Sequence, residues 1–186
     1  MTGFTTRWAM HADLPALRLL MARAIDALQA DLLTAEQVAA SHAVMGLDTQ
    51  LVDDGTYLIA ERDGAIAGCG GWSDRATLYG GDHSTTLRNP ARLDPAGDAA
   101  RIRAMYTEPA FARQGVGRLI LATCEAAAAA RGFRAAELMA TLSGARLYAV
   151  AGYSVVEPVS AEVEGVTVPL LRMRKTLARQ TSTPAR

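Results

Sequence analysis

The chain has 186 residues, half of them hydrophobic, and 19 Lys plus Arg balance 19 Asp plus Glu. That length suits one compact domain with its own core. A neutral chain without a basic excess or a block of like charge is not built for a nucleic-acid partner. No apolar run is long enough to span a membrane, the start Met1–Arg7 has no apolar signal segment, and Cys69 and Cys124 lack metal-ligand spacing. These features predict a cytoplasmic protein with free thiols and no metal, membrane or nucleic-acid partner.

Phe4 to Met10 alternates and predicts a first strand. Asp13 is placed to cap a helix whose apolar residues, Leu14, Leu17, Leu20, Met21, Ile25 and Leu28, recur at helical spacing. Thr34 and Gln37 form the pattern of a capping box opening a second helix, which Gly46 stops. Tyr57 to Arg62 and Ala65 to Ser73 predict a hairpin around the turn Asp63-Gly64. The return strand carries Gly68, Gly70 and Gly71, which fits either a strand lining a substrate site or a plain bulge.

Residues 76–98 are rich in Gly and Pro and predict a long loop. They form either an insertion beside an acceptor pocket or bland surface. Ala100 to Thr107 predicts a central strand. A helix follows from Gly115 to Arg131, stopped by Gly132. Ala135 to Ala140 predicts a strand, Ser143 to Ala151 a short helix, and Tyr153 to Pro158 and Val166 to Arg174 the last two strands. This order gives an α/β (α+β) domain over residues 1–175, with a mixed sheet covered by helices; residues 176–186 are expected to be a disordered tail.

The junction Arg103 to Arg118 carries the strongest signal for chemistry. A strand runs through a turn into Ala112-Arg113-Gln114-Gly115-Val116-Gly117, which opens the long helix. Free N–H groups and the helix dipole favour an anion at such a start. A dinucleotide fingerprint would place glycine where Ile120 stands, and a phosphate loop of the Gly-Lys-Ser/Thr kind is absent. Taken alone, the loop is also compatible with a purely structural helix start. Downstream, Leu147-Tyr148-Ala149-Val150-Ala151-Gly152-Tyr153 forms a helix-to-strand corner.

Together, in this order, the two segments resemble the acyl-CoA loop and the "LYxxxGF/Y" corner of the GNAT (GCN5-related) N-acetyltransferase superfamily. The loop departs from the family pattern at Ala112, where Gln or Arg is usual, with Arg113 next to it. The resemblance implies a mostly antiparallel central sheet of about six to seven strands flanked by about four helices. It also implies acetyl-CoA as co-substrate, no metal, and transfer of the acetyl group to an amine by direct attack in a ternary complex. The acceptor would be a small-molecule amine or a peptide or protein amine, and a homodimer is plausible for the family.

By the same resemblance, backbone from Ala112, Arg113, Gln114, Gly115, Val116, Gly117 and Arg118 would cradle the pyrophosphate. Met105, Tyr106 and Thr107 would pair with the pantetheine amides as an extra strand. Thr141, where many relatives carry asparagine, is a further contact to that arm. Tyr148 would protonate or hydrogen-bond the leaving thiolate; the alternative is a packing residue on an amphipathic helix. The base that neutralises the amine is not marked by any spacing. Glu61, Asp74, His83, Glu108 and Glu137 are candidates, with Glu108 first because it ends the strand beside the loop, and a water-mediated route is the alternative. Neither cysteine is paired with histidine in a way that suggests a covalent intermediate. The rival class is a non-catalytic acyl-CoA sensor or interaction domain.

Overall fold

The computed structural model describes residues 3–178. Its elements run β1 (Thr5–Trp8), α1 (Leu14–Gln29), α2 (Ala35–Val44), α3 (Thr49–Asp53), β2 (Tyr57–Arg62), β3 (Ala65–Ser73), β4 (Ala100–Thr107), α4 (Val116–Ala130), β5 (Ala135–Thr141), α5 (Leu142–Val150), β6 (Ser154–Val163) and β7 (Val166–Thr176). The strands form a seven-stranded sheet in the order β1-β2-β3-β4-β5-β7-β6. All neighbours are antiparallel except β4 and β5.

Local chemistry accounts for most of these boundaries. Thr34 accepts from the Gln37 N–H while the Gln37 side chain accepts from the Thr34 N–H, so the capping box forms as the spacing predicts. Asp63 and Gly64 both take positive φ, 53° and 78°, in the tight β2–β3 turn. Asp13 differs from expectation. Its carboxylate accepts from the Met10 N–H and from Arg7, fixing the 3₁₀ turn before α1 instead of capping the helix. The short α3 has no periodic signal of its own and rests on Leu51 and Val52, both buried. β7 reaches Thr176 and Leu177 is buried, so ordered chain passes the boundary expected at residue 175. Of the expected tail, residues 179–186 lie outside the described residues.

Helices cover both faces of the sheet. On one face α4 sets Val116, Ile120, Leu121 and Cys124 against Leu58, Ala67, Ile102 and Leu138. On the other, Leu17, Leu20, Met21 and Ile25 of α1 pack with Leu51, Tyr57 and Ile59. Each such fully buried aliphatic side chain contributes about 1.5–3 kcal/mol relative to exposure.

The β3 glycines serve this packing. A Cβ on Gly68 would lie 2.6 Å from Val116 Cγ1, and one on Gly70 would lie 2.2 Å from Met105 Sδ and 2.9 Å from Ile120 Cγ2. They allow α4 and β4 to close down on β3; neither lines the site described next.

Candidate functional site

Two irregularities of β4 create the site. First, Gly71 faces Arg103 while Cys69 faces Tyr106, so β4 holds one residue more than β3 between these pairs. This is a β-bulge, and Ala104 sits in it at φ +50°. The Tyr57 hydroxyl donates to the Ala104 carbonyl at 2.8 Å and pins it. Second, β4 and β5 pair only at Ala100–Ala136 and Arg101–Glu137. Beyond that point the parallel strands separate. The gap-facing backbone of Met105, Tyr106 and Thr107 is left without a β5 partner, able to accept an added strand.

The gap leads into a cleft of about 950 Å³. Met105, Tyr106, Thr107, the whole run Ala112–Arg118, Thr141 and Tyr148 line it. All twelve cofactor and acid candidates from these segments therefore converge on one space, although they come from three separate stretches of sequence. Gly115 takes φ +90° at the start of α4, and Leu119 is the first residue there whose N–H finds a carbonyl, that of Gly115. The N–H groups of Val116, Gly117 and Arg118 precede it at the helix start and, among the described residues, have no acceptor, so they can serve an anion.

Arg113, Arg118 and Arg146 also line the cleft, and none pairs with a carboxylate among the described residues. Asp31 is the one acidic residue of the lining. Three guanidinium groups against one carboxylate, beside a helix N-terminus, suit a polyphosphate. Arg146 lies on α5, two residues before Tyr148, and sequence reasoning missed it; a cation two places from the corner tyrosine was the available signal. Thr141 lines the cleft, but its hydroxyl is engaged: it accepts from the Gly144 N–H at 3.2 Å as the cap of α5 and lies 3.0 Å from Ser143 Oγ.

Tyr148 stands on α5 where the cleft meets a smaller cavity. Its ring is buried, edge-on to Tyr153 with centroids 5.9 Å apart. The hydroxyl has no protein partner among the described residues. Burial raises its pKa above the ordinary tyrosine value, so the phenol keeps its proton. Cys69 and Cys124 are buried, and burial pushes both thiols up to about 12, which removes them as nucleophiles at neutral pH.

The smaller cavity, about 80 Å³, is walled by Val44, Met45 and Gly46 at the end of α2, by Leu78, Tyr79 and Gly80, by Ile102 to Tyr106, and by Met139, Thr141, Tyr148 and Leu170. The 76–98 segment is thus part of this wall. The Gly80 carbonyl accepts from Arg103 at 2.7 Å, His83 Nε2 lies 2.7 Å from the Ala43 carbonyl, and the Asp82 N–H donates to the Leu47 carbonyl at 2.9 Å.

None of the expected base candidates lies here. Glu108 pairs with Arg23 of α1 at 2.6 Å and lines neither space. Glu61 pairs with Arg7, Asp74 with Arg92, and Glu137 is buried under Arg101, Arg172 and Arg174. His83 is directed at a backbone carbonyl.

A model described as the acetyltransferase (GNAT) family matches residues 20–153. No curated protein matches the chain. Among solved structures, a GCN5-related N-acetyltransferase from Rhodopseudomonas palustris is similar over 95% of this chain and 98% of its own, with 20% identity and a TM-score of 0.70. A Salmonella typhimurium protein solved with its cofactor acetyl-CoA covers 98% of this chain and 99% of its own, at 20% identity and a TM-score of 0.61. An N-acetyltransferase from Thermoplasma acidophilum in complex with coenzyme A covers 94% and 99%, at 13% identity and a TM-score of 0.61. These structures share the mixed, mostly antiparallel architecture, and the family match spans the gap strand, the glycine loop and the corner tyrosine: the chain belongs to the GNAT acetyltransferase family.

Proposed function

We propose that this protein is an acetyl-CoA-dependent N-acetyltransferase that carries out direct attack by an amine on the bound thioester in a ternary complex. The observation that carries the reading is the joining of three features in one cleft: a β4 edge left open by β5, an α4 start with free N–H groups, and the Tyr148 hydroxyl between them.

Acetyl-CoA supplies the activated acetyl group. The Val116–Arg118 N–H groups with Arg113, Arg118 and Arg146 hold its phosphates, and the free β4 backbone from Met105 to Thr107 holds its amide arm. A backbone N–H at the bulge faces the carbonyl oxygen, where such a donor is typically worth about 3 kcal/mol. The amine nitrogen forms a bond to the carbonyl carbon, and the carbon–sulfur bond breaks. Tyr148 supplies a hydrogen bond or proton to the departing sulfur, and the proton shed by the nitrogen passes to water.

Calorimetry with acetyl-CoA, desulfo-CoA and NADH tests the binding half. Micromolar affinity for acetyl-CoA and none for NADH is the expected result; no binding at millimolar acetyl-CoA sinks the reading. Among the described residues no carboxylate or imidazole lines the smaller cavity, which supports a second reading, a CoA-binding sensor without turnover, and the Tyr148 variant discussed below separates the two.

The same absence sets the pH dependence. An alkylamine must lose its proton before attack, and no side chain here takes it. The kcat/KM is expected to rise about tenfold per pH unit towards the pKa of the acceptor itself, with no acid inflection belonging to the enzyme. Tyr148, with its pKa raised by burial, keeps its proton through this window and does not bend the alkaline side. A kcat profile with an inflection between pH 5 and 7 would establish an enzymic base.

A further inference from the structure

We propose that the 80 Å³ cavity is a carboxylate subsite, so that the acceptor is a compact amino acid whose carboxylate docks on Arg103 and Tyr79 while its amine meets the thioester. This inference rests on the N-acetyltransferase reading and specifies its substrate class.

Three observations support it. The first is charge. Among the described residues Arg103 is the only ionised side chain in the cavity wall, and no acidic residue lines it. A cavity meant for a polyamine or another polycation needs carboxylates there.

The second is donor supply. Arg103 is 5% exposed. A guanidinium carries five N–H donors. Among the described residues Nη1 donates to Asp48 and Nη2 to the Gly80 carbonyl, while Nε is buried without a partner. Two donors of five are used and Nε is closed to solvent, which leaves the second N–H of Nη1 and of Nη2. Buried donors are ordinarily satisfied, so a group with this surplus on a cavity wall is suited to a bound acceptor of hydrogen bonds. Asp48, itself 2% exposed, sits behind Arg103 and is shared with Arg88, which also reaches Asp82. This backing holds the guanidinium in place and balances its charge, so attraction for the ligand comes from directed N–H groups. Tyr79 also lines the wall, and its hydroxyl has no protein partner among the described residues.

The third is size and position. A cavity of 150 Å³ accepts the six carbons of benzene, about 25 Å³ each, so 80 Å³ holds about three non-hydrogen atoms, the size of a carboxylate. Met105, Tyr106, Thr141 and Tyr148 line both this cavity and the large cleft. A group held in the first therefore leaves its neighbouring amine at the junction with the second.

The test measures kcat/KM, per unit of unprotonated amine, for glycine and alanine against methylamine and ethylamine, the same molecules without the carboxylate, with spermidine as the polycation. In the natural protein each amino acid should exceed its amine by about 10- to 100-fold, the range for a hydrogen-bonded charged group. Arg103→Lys, which keeps the charge and loses the planar fork, should bring that ratio down about tenfold. Tyr79→Phe, which keeps the ring and leaves the Asp48 cluster untouched, should reduce it several-fold and remains informative if the Arg103 variant does not fold. Equal rates with and without the carboxylate, or a preference for spermidine, overturn the subsite while leaving the acetyltransferase reading intact. Absence of acetyl-CoA binding overturns both.

Discussion

Replacing Tyr148 by Phe should lower kcat by about 10²- to 10³-fold while changing acetyl-CoA affinity no more than about twofold. The structural reason is the separation between ring and hydroxyl. The ring is buried and packs edge-on to Tyr153, and Phe preserves all of that. The hydroxyl makes no hydrogen bond within the described protein, so its removal strands no buried partner and should leave thermal stability close to that of the natural chain. Only the group that the proposed mechanism sets against the departing sulfur is lost. Because burial holds the phenol protonated, this defect should be uniform across neutral pH and not titrate away. Single-turnover acetyl transfer and calorimetry on the same preparation check both halves. A variant with unchanged kcat would reduce Tyr148 to packing. A natural protein that binds acetyl-CoA but transfers to no amine would be the sensor.

How much of this was legible in the sequence depends on how local each feature is. The glycine loop and helix start span six residues, Ala112 to Gly117, and their chemistry is written in backbone preference. The capping box at Thr34–Gln37 and the Asp63-Gly64 turn are local in the same sense, and both form. The proposed acceptor cavity is not local. Arg103 meets Asp48 from 55 positions away and Gly80 from 23, and no spacing rule links them.

Glu108 shows the opposite error. Closeness in sequence to the loop suggested closeness to the chemistry, but the chain turns its carboxylate to Arg23 on α1. The β3 glycines were ambiguous for a different reason: close approach of a ligand and close approach of a helix make the same demand on a strand. Here the helix makes it, through Val116 and Ile120. A five-residue helix such as α3 has too few turns to announce itself, because its stability comes from the core that receives Leu51 and Val52.

Gly115→Val should weaken acetyl-CoA binding by more than about 100-fold, with only a modest loss of stability. Gly115 stands at φ +90°, a conformation a β-branched residue resists, and the strain costs about 1–2 kcal/mol. For a chain of this size that is roughly a 2–8 °C fall in Tm. A Cβ at this position meets no protein atom within 4 Å, so no steric clash with the protein adds to that cost. Gly115 lines the cleft at the mouth of α4, where a valine side chain would take the space an anion needs in front of the Val116, Gly117 and Arg118 N–H groups, and a shift of φ would re-aim them. Arg118→Gln gives the contrast. It removes one charge from the lip and leaves the backbone cradle in place, so its effect should be about tenfold and should shrink as salt is raised. Calorimetric titration of both variants at two ionic strengths separates the contributions. If Gly115→Val binds acetyl-CoA as tightly as the natural chain, the phosphates are not held at the α4 start, and the glycines there serve only to begin a helix.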